Sequence, residues 1–337
     1  MFNFDSDRFL RIESGAYDAA AKLGKLVQEL VDNGADSLFF MGSGGAGILM
    51  QPAAEFMARE SVMPCYNVLC AEIVLTGHQS LDQNSIVIIP SLSGTTKESI
   101  EALQYVKGRG ATTITLVGHA NTPLAQQADH CLINFAQDDT SCEMFYLLSL
   151  TAVLGAMQAR GEVSDYAALI DELKSLPEQL LKIKQDFEPR AKLLAATIQN
   201  DGYHIITGAG PVWPEAYYYG MCILEEMQWI RTRPVHASDF FHGTLELVEK
   251  GVSVIVFMGE DETRPICERV VNFAKKHTDR LIVLDTKEVQ TVGLSPLLRA
   301  MLAPAILATM LERLSSHLEH FRNHPLETRR YYRRVEY

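Results

Sequence analysis

Two acids and two histidines lie close together in EEMQWIRTRPVHASDFFHG, the stretch that begins at Glu225. Glu225 and Glu226 end an apolar run with helical spacing, and His236 and His242 follow within seventeen residues. A carboxylate set against an apolar wall is poised to exchange protons with a substrate, and an imidazole does so near neutral pH. The competing reading is plain: two solvated helix-end acids, and two loop histidines with ordinary partners. On residue types alone both stay open.

Two loops could hold an anion. Ser91-Leu92-Ser93-Gly94-Thr95-Thr96 packs four hydroxyls and a glycine into six residues directly before a helical pattern. Hydroxyls and backbone N–H groups at a helix start suit a phosphate, although simple capping recruits the same residue types. The other loop, GSGGAG at 42–47, follows a strand, precedes a helix and formally matches the G-x-G-x-x-G dinucleotide fingerprint. An NAD(P) reading then wants an acid ending the next strand, where Glu72 is nearest, and gives SLSGTT no role. A monophosphate held by the two loops uses both.

Such groups need a frame. The runs SLFFM (37–41), CYNVL (65–69), SIVIIP (85–90), TTITLV (112–117) and HCLINF (130–135) read as strands, alternating with amphipathic helices such as KESIEALQYVKGRG. A helical region over roughly 140–200 follows, and then alternation resumes with YHIITGAG (203–210), GVSVIVFMG (251–259) and DRLIVLD (279–285). Near-continuous apolar strands between helices predict parallel, doubly wound α/β sheets. The segment 214–230 reads as one helix that Pro234 prevents from continuing. FFMGSGGAG matches IITGAG at an offset of about 166, and SIVIIPSLSGTT matches SVIVFMGEDET at 168. A near-constant offset predicts a duplicated unit, with domains at 1–185 and 186–337. Where the first copy has SLSGTT the second has Gly259-Glu260-Asp261-Glu262-Thr263, so only the first copy is expected to take a phosphate.

Composition narrows the classes. The chain has 337 residues, 47% of them hydrophobic, enough for large cores. Its net charge of -12 argues against nucleic acid and anionic membrane surfaces. No pair among the six cysteines has C-x-x-C spacing, so free thiols in a reducing compartment are expected. The N-terminus lacks a signal-peptide pattern and the apolar runs look short for a bilayer, which predicts a soluble cytoplasmic protein.

MGSGGAG, SLSGTTKES and the duplicated unit resemble the SIS domain, which binds phosphosugars. MCILEEMQWIRTRPVHASDFFHGTLELVE, with the ending HPLETRRYYRRVEY, resembles a narrower group over nearly the whole chain. That group comprises the deglycases of 6-phosphorylated Amadori-type compounds: fructoselysine 6-phosphate, glucoselysine 6-phosphate and 6-phosphofructose-aspartate deglycases. The resemblance implies two tandem SIS domains of flavodoxin-like, doubly wound topology. It also implies a catalytic Glu–His pair sixteen residues apart, which falls on Glu226 and His242, as in the isomerase domain of glucosamine 6-phosphate synthase. By the same resemblance Ser43, Ser91, Ser93 and Thr96 hold the phosphate.

Two departures from the synthase stand out. Gly44 replaces a serine in the first loop, and the last lysine is Lys287, so no tail lysine is present to form a Schiff base. The implied chemistry uses the substrate's own amine and needs no metal or nicotinamide cofactor. Glu143, Glu225 and Asp239 are candidate acids for recognising the departing amine, with a lysine-type substrate favoured. A homodimer is implied, with the active site at the subunit boundary and the histidine supplied by the neighbouring chain. The alternatives are an aldose–ketose isomerase of phosphosugars, an NAD(P)-binding oxidoreductase and a non-catalytic phosphosugar sensor.

Overall fold

A computed structural model describes residues 1–337 apart from Asp138, Arg333 and Tyr337. The chain forms two compact units. One comprises Ser6–Glu178 with Gly293–Ala305; the other comprises Met1–Asp5, Gln179–Val292 and Ile306–Tyr337.

The unit built on Ser6–Glu178 contains β1 (Ser37–Gly42), β2 (Cys65–Leu69), β3 (Ser85–Ser91), β4 (Thr112–Val117) and β5 (His130–Ile133). All pair in parallel, in the order β2-β1-β3-β4-β5. The central strands β1 and β3 are buried at every position, as apolar runs covered on both faces must be. Phe39, Met41, Val87 and Ile89 pack on one face with Leu103 and Val106 of the helix Lys97–Gly108.

Two long helices in this unit, Ser6–Asp32 and Ser141–Ala159, pack against each other. Their backbones meet where a Cβ added to Gly155 would lie 2.9 Å from Gly24 Cα. Ser141–Ala159 is long and apolar enough to cross a bilayer, contrary to the impression of short apolar runs. Its apolar window is 89% buried, however, so it serves as a core helix.

The second unit contains β6 (Tyr203–Gly208), β7 (Arg231–His236), β8 (Ser253–Met258) and β9 (Leu281–Asp285), all parallel in the order β7-β6-β8-β9. The sequence reading missed β7: Pro234 was read only as the end of a helix, and Arg231–His236 lacks the apolar run that marked the other strands. Proline lacks a ladder donor and is confined to sheet edges, and β7 is such an edge. The helix expected over 214–230 is also shorter. It runs Trp213–Tyr218, widens into a π-helical turn over Tyr219–Glu225, and gives way to a turn leading into β7.

The first five residues are tied into this second unit. Phe2 N donates to Glu188 Oε1 at 2.7 Å, and Arg313 Nε pairs with Glu188 Oε2 at 2.6 Å. Burial alone would raise the Glu188 carboxyl, but Arg313 and the Phe2 amide outweigh it and hold it at about 2.

His204 in β6 is fully buried, with Nδ1 2.8 Å from Ser253 Oγ on β8. Burial depresses its pKa from 6.5 to about 4. Between those values the unfolded chain binds a proton that the folded chain refuses. Stability is therefore expected to fall on acidification through that window, by on the order of 3 kcal/mol. Urea unfolding at pH 7 and pH 5 should show a smaller acid-induced loss in His204→Leu than in the unsubstituted protein. Equal losses would rule His204 out as the source.

Candidate active site

In the Ser6–Glu178 unit both hydroxyl-bearing loops leave the C-terminal ends of adjacent strands, β1 and β3. Ligands of open parallel sheets bind outside those ends, where the strand order reverses. After β1, Gly42 and Gly47 approach closely: a Cβ on Gly42 would lie 2.5 Å from Gly47 N. Gly44 takes a positive φ of 58°. Ser43 Oγ is buried beside Cys70 without a well-formed hydrogen bond.

After β3, Ser91 Oγ lies 3.0 Å from Thr96 Oγ1, and Thr95 N donates to Ser93 Oγ at 3.3 Å. Gly94 N donates to Ser91 O at 2.9 Å, closing the loop into a turn that Gly94 permits at φ 63°. Thr96 then starts the helix Lys97–Gly108 without capping it through its side chain. The hydroxyls are thus not spent on a cap, which was the competing reading of this loop.

The equivalent loop in the other unit is filled from within. Asp261 Oδ2 accepts hydrogen bonds from Thr263 N (3.2 Å) and Thr263 Oγ1 (2.8 Å). In the first copy the matching donors, Thr95 N and Thr95 Oγ1, go to Ser93 Oγ at 3.3 and 3.2 Å, so the two loops differ in the charge of the acceptor: a neutral hydroxyl there, a carboxylate here. A carboxylate at that place would repel a phosphate, whereas a hydroxyl would not.

Glu226 sits just after the π-helical turn, where its amide donates to Met221 O across five residues at 3.1 Å. Such wide turns inside helices recur at functional sites. Gly220 lets the turn lie against β7; a Cβ there would stand 2.8 Å from Pro234 Cγ. The Glu226 carboxylate is one-third exposed and pairs with Arg329, with Oε1 2.9 Å from Nε. Three residues on, Trp229 adopts φ 55°. A left-handed backbone in a bulky residue costs about 1–3 kcal/mol, and such strain clusters at functional sites.

His242 ends a short turn, Asp239–His242, that precedes Gly243 at φ 148°; its side chain and that of Asp239 are exposed. His236 bonds Ser238 Oγ through Nδ1 at 2.6 Å and orders the intervening turn. Glu225 accepts from Thr232 N (3.1 Å) and Thr232 Oγ1 (2.6 Å), fastening the turn to β7. Glu143 lies buried in the first turn of Ser141–Ala159, in the unit that carries the hydroxyl loops. The sequence reading did not single out Arg329, Trp229 or Thr232.

The SIS-domain model matches residues 33–160, which carry both hydroxyl loops. Fructosamine deglycase FrlB of Bacillus subtilis is 32% identical over 328 residues, covering 95% of this chain and 99% of that protein. Fructoselysine 6-phosphate deglycase of Escherichia coli is 30% identical over 307 residues, covering 91% and 88% respectively. A crystal structure from B. subtilis, named as a phosphosugar isomerase, superposes with a TM-score of 0.87 at 30% identity, over 96% of this chain and 99% of that one. Similarity of this extent runs through both units and their loops, and the chain belongs to the SIS-domain family that includes fructosamine deglycase and fructoselysine 6-phosphate deglycase.

Proposed function

We propose that the protein is a deglycase that cleaves a hexose 6-phosphate bearing an amino acid through nitrogen, releasing hexose 6-phosphate and free amino acid. Full-length similarity to fructosamine deglycase carries this reading. The hydroxyl loops at the strand ends and the partly buried Glu226 support it.

In this reading Ser43, Ser91, Ser93 and Thr96 bind the phosphate and fix the sugar's register. His242 moves the proton that opens the ring. Glu226 takes a proton from the carbon bearing nitrogen, giving an enaminol, and returns it to the neighbouring carbon. The C–N bond becomes an imine, and water adds to its carbon, expelling the amine. An amine at C1 leaves an aldose phosphate and an amine at C2 leaves a ketose phosphate. The substrate supplies the nitrogen that carries the intermediate, so neither nicotinamide nor metal enters the scheme. The working unit is a cytoplasmic homodimer, the neighbouring copy lending its histidine.

A lysine-derived substrate, with its free ammonium facing an acid, is preferred. Asp239 is exposed and lies three residues before His242, whereas Glu143 is buried and Glu225 is engaged by Thr232. The second reading, aldose–ketose isomerisation, would use the same Glu226 and His242. The two separate in one assay of purified protein with fructoselysine 6-phosphate, glucoselysine 6-phosphate and fructose 6-phosphate in turn. Lysine release from one conjugate is expected. Interconversion of fructose 6-phosphate and glucose 6-phosphate without lysine release would replace the deglycase by the isomerase.

A further inference from the structure

The C-terminal segment from Arg322 to Arg330 is fastened to the turn that carries Glu226 at several independent points. Gln228 Nε2 donates to His324 O at 2.7 Å, and Arg322 Nη2 donates to Gln228 O at 3.3 Å. The His324 ring meets the Trp229 indole edge-on at 4.5 Å, and the Arg330 guanidinium lies 4.0 Å over the same indole. Trp229 is 40% exposed, so burial does little to hold its left-handed backbone. The turn around it is closed by Ile230 N donating to Leu224 O at 2.9 Å, and the tail packs on its ring. In the middle of this attachment Arg329 Nε lies 2.9 Å from Glu226 Oε1, an ion pair by proximity and not an aligned hydrogen bond. The same guanidinium donates through Nη1 to Leu326 O and Thr328 O, so its fork is oriented before it meets the carboxylate.

We infer that Arg329 is a positioning residue: the tail presents a fixed guanidinium that holds the Glu226 carboxylate in the orientation from which it moves protons. The inference rests on the role given to Glu226 above. Arg329 acts through that carboxylate and does not touch the substrate. Its loss should therefore slow turnover without weakening binding. It should also have no effect once the carboxylate is gone.

The test uses full-length protein with Arg329→Gln, Arg329→Lys, Glu226→Gln and the Arg329→Gln/Glu226→Gln pair. Initial rates are measured with fructoselysine 6-phosphate and with fructose 6-phosphate, and hydrogen exchange is followed at the amides of 226–230. Loss of a charge-assisted contact should lower kcat about tenfold or more in Arg329→Gln, with KM changed less than about twofold. Arg329→Lys should recover part of that loss, and Arg329→Gln should add nothing in the Glu226→Gln background. Amide exchange at 226–230 should quicken in Arg329→Gln. An unchanged kcat, a change confined to KM, the same loss in both backgrounds, or unchanged exchange would each overturn the positioning role. Full activity in Glu226→Gln would instead remove the proton-transfer reading itself. If neither compound turns over, the exchange result still decides whether Arg329 orders the turn.

Discussion

Glu226→Gln is expected to lower kcat by about a thousandfold, the middle of the range for a positioned general base, with KM little changed. Glutamine keeps the shape of the side chain but cannot accept and return a proton. The carboxylate stands at the exit of the π-helical turn, one-third exposed, and is paired with Arg329. It is therefore open to a ligand on one side and anchored on the other. Surface ion pairs contribute about 1 kcal/mol or less, so the variant should stay folded. Unfolding curves should nearly coincide while activity disappears. Solvent deuterium supplies a second readout, because the unsubstituted enzyme should incorporate it at the sugar carbon that receives the proton and Glu226→Gln should not. Retention of a tenth or more of the original kcat would place the base elsewhere.

The second large effect is expected from Gly94→Ala. Gly94 has φ 63°, and a Cβ there would lie 2.7 Å from Thr122 Cβ. Thr122 cannot withdraw freely, since its hydroxyl donates to His119 O at 3.0 Å and accepts from Ala125 N at 3.4 Å. The left-handed penalty and the overpacking together cost about 3 kcal/mol. Whatever part the loop avoids by shifting, it loses in alignment of Ser91, Ser93 and Thr96. KM should then rise about tenfold or more, because each hydrogen bond to a charged phosphate is worth about 1.5–3 kcal/mol. Adding Thr122→Ala relieves the clash but not the backbone strain, so stability should return in part. A Gly94→Ala protein with unchanged KM would show that this loop does not bind the phosphate.

Eight of the nine strands among the described residues were legible as apolar runs between helical patterns. The ninth, β7, carries Arg231, Arg233 and Pro234, because an edge strand need be neither apolar nor free of proline. The repeat could have found it: Arg231 stands 166 positions after Cys65, the start of β2, which is the offset already noted between the two copies. Periodicity also overextended the helix before Glu226. A pattern of apolar spacing does not register the change from α to π over Tyr219–Glu225. At the site, residue types marked the hydroxyl loops. Glu226 and His242 stood out only through family resemblance. Arg329 lies 103 residues beyond Glu226, and pairing over such a distance leaves no local trace.

The assignment of Met1–Asp5 to the second unit bears on how the protein can be divided. The chain passes from one unit to the other four times, after Asp5, Glu178, Val292 and Ala305. A break in the Glu178–Gln179 bond would therefore release neither half. The C-terminal fragment would lack the Phe2 backbone that Glu188 and Arg313 grip, and the N-terminal fragment would lack Gly293–Ala305. Although the two copies look like a simple tandem, their exchanged segments make them obligate companions in synthesis. Neither gene half encodes a whole core, so the ancestral unit is not recovered by cutting the modern gene in two.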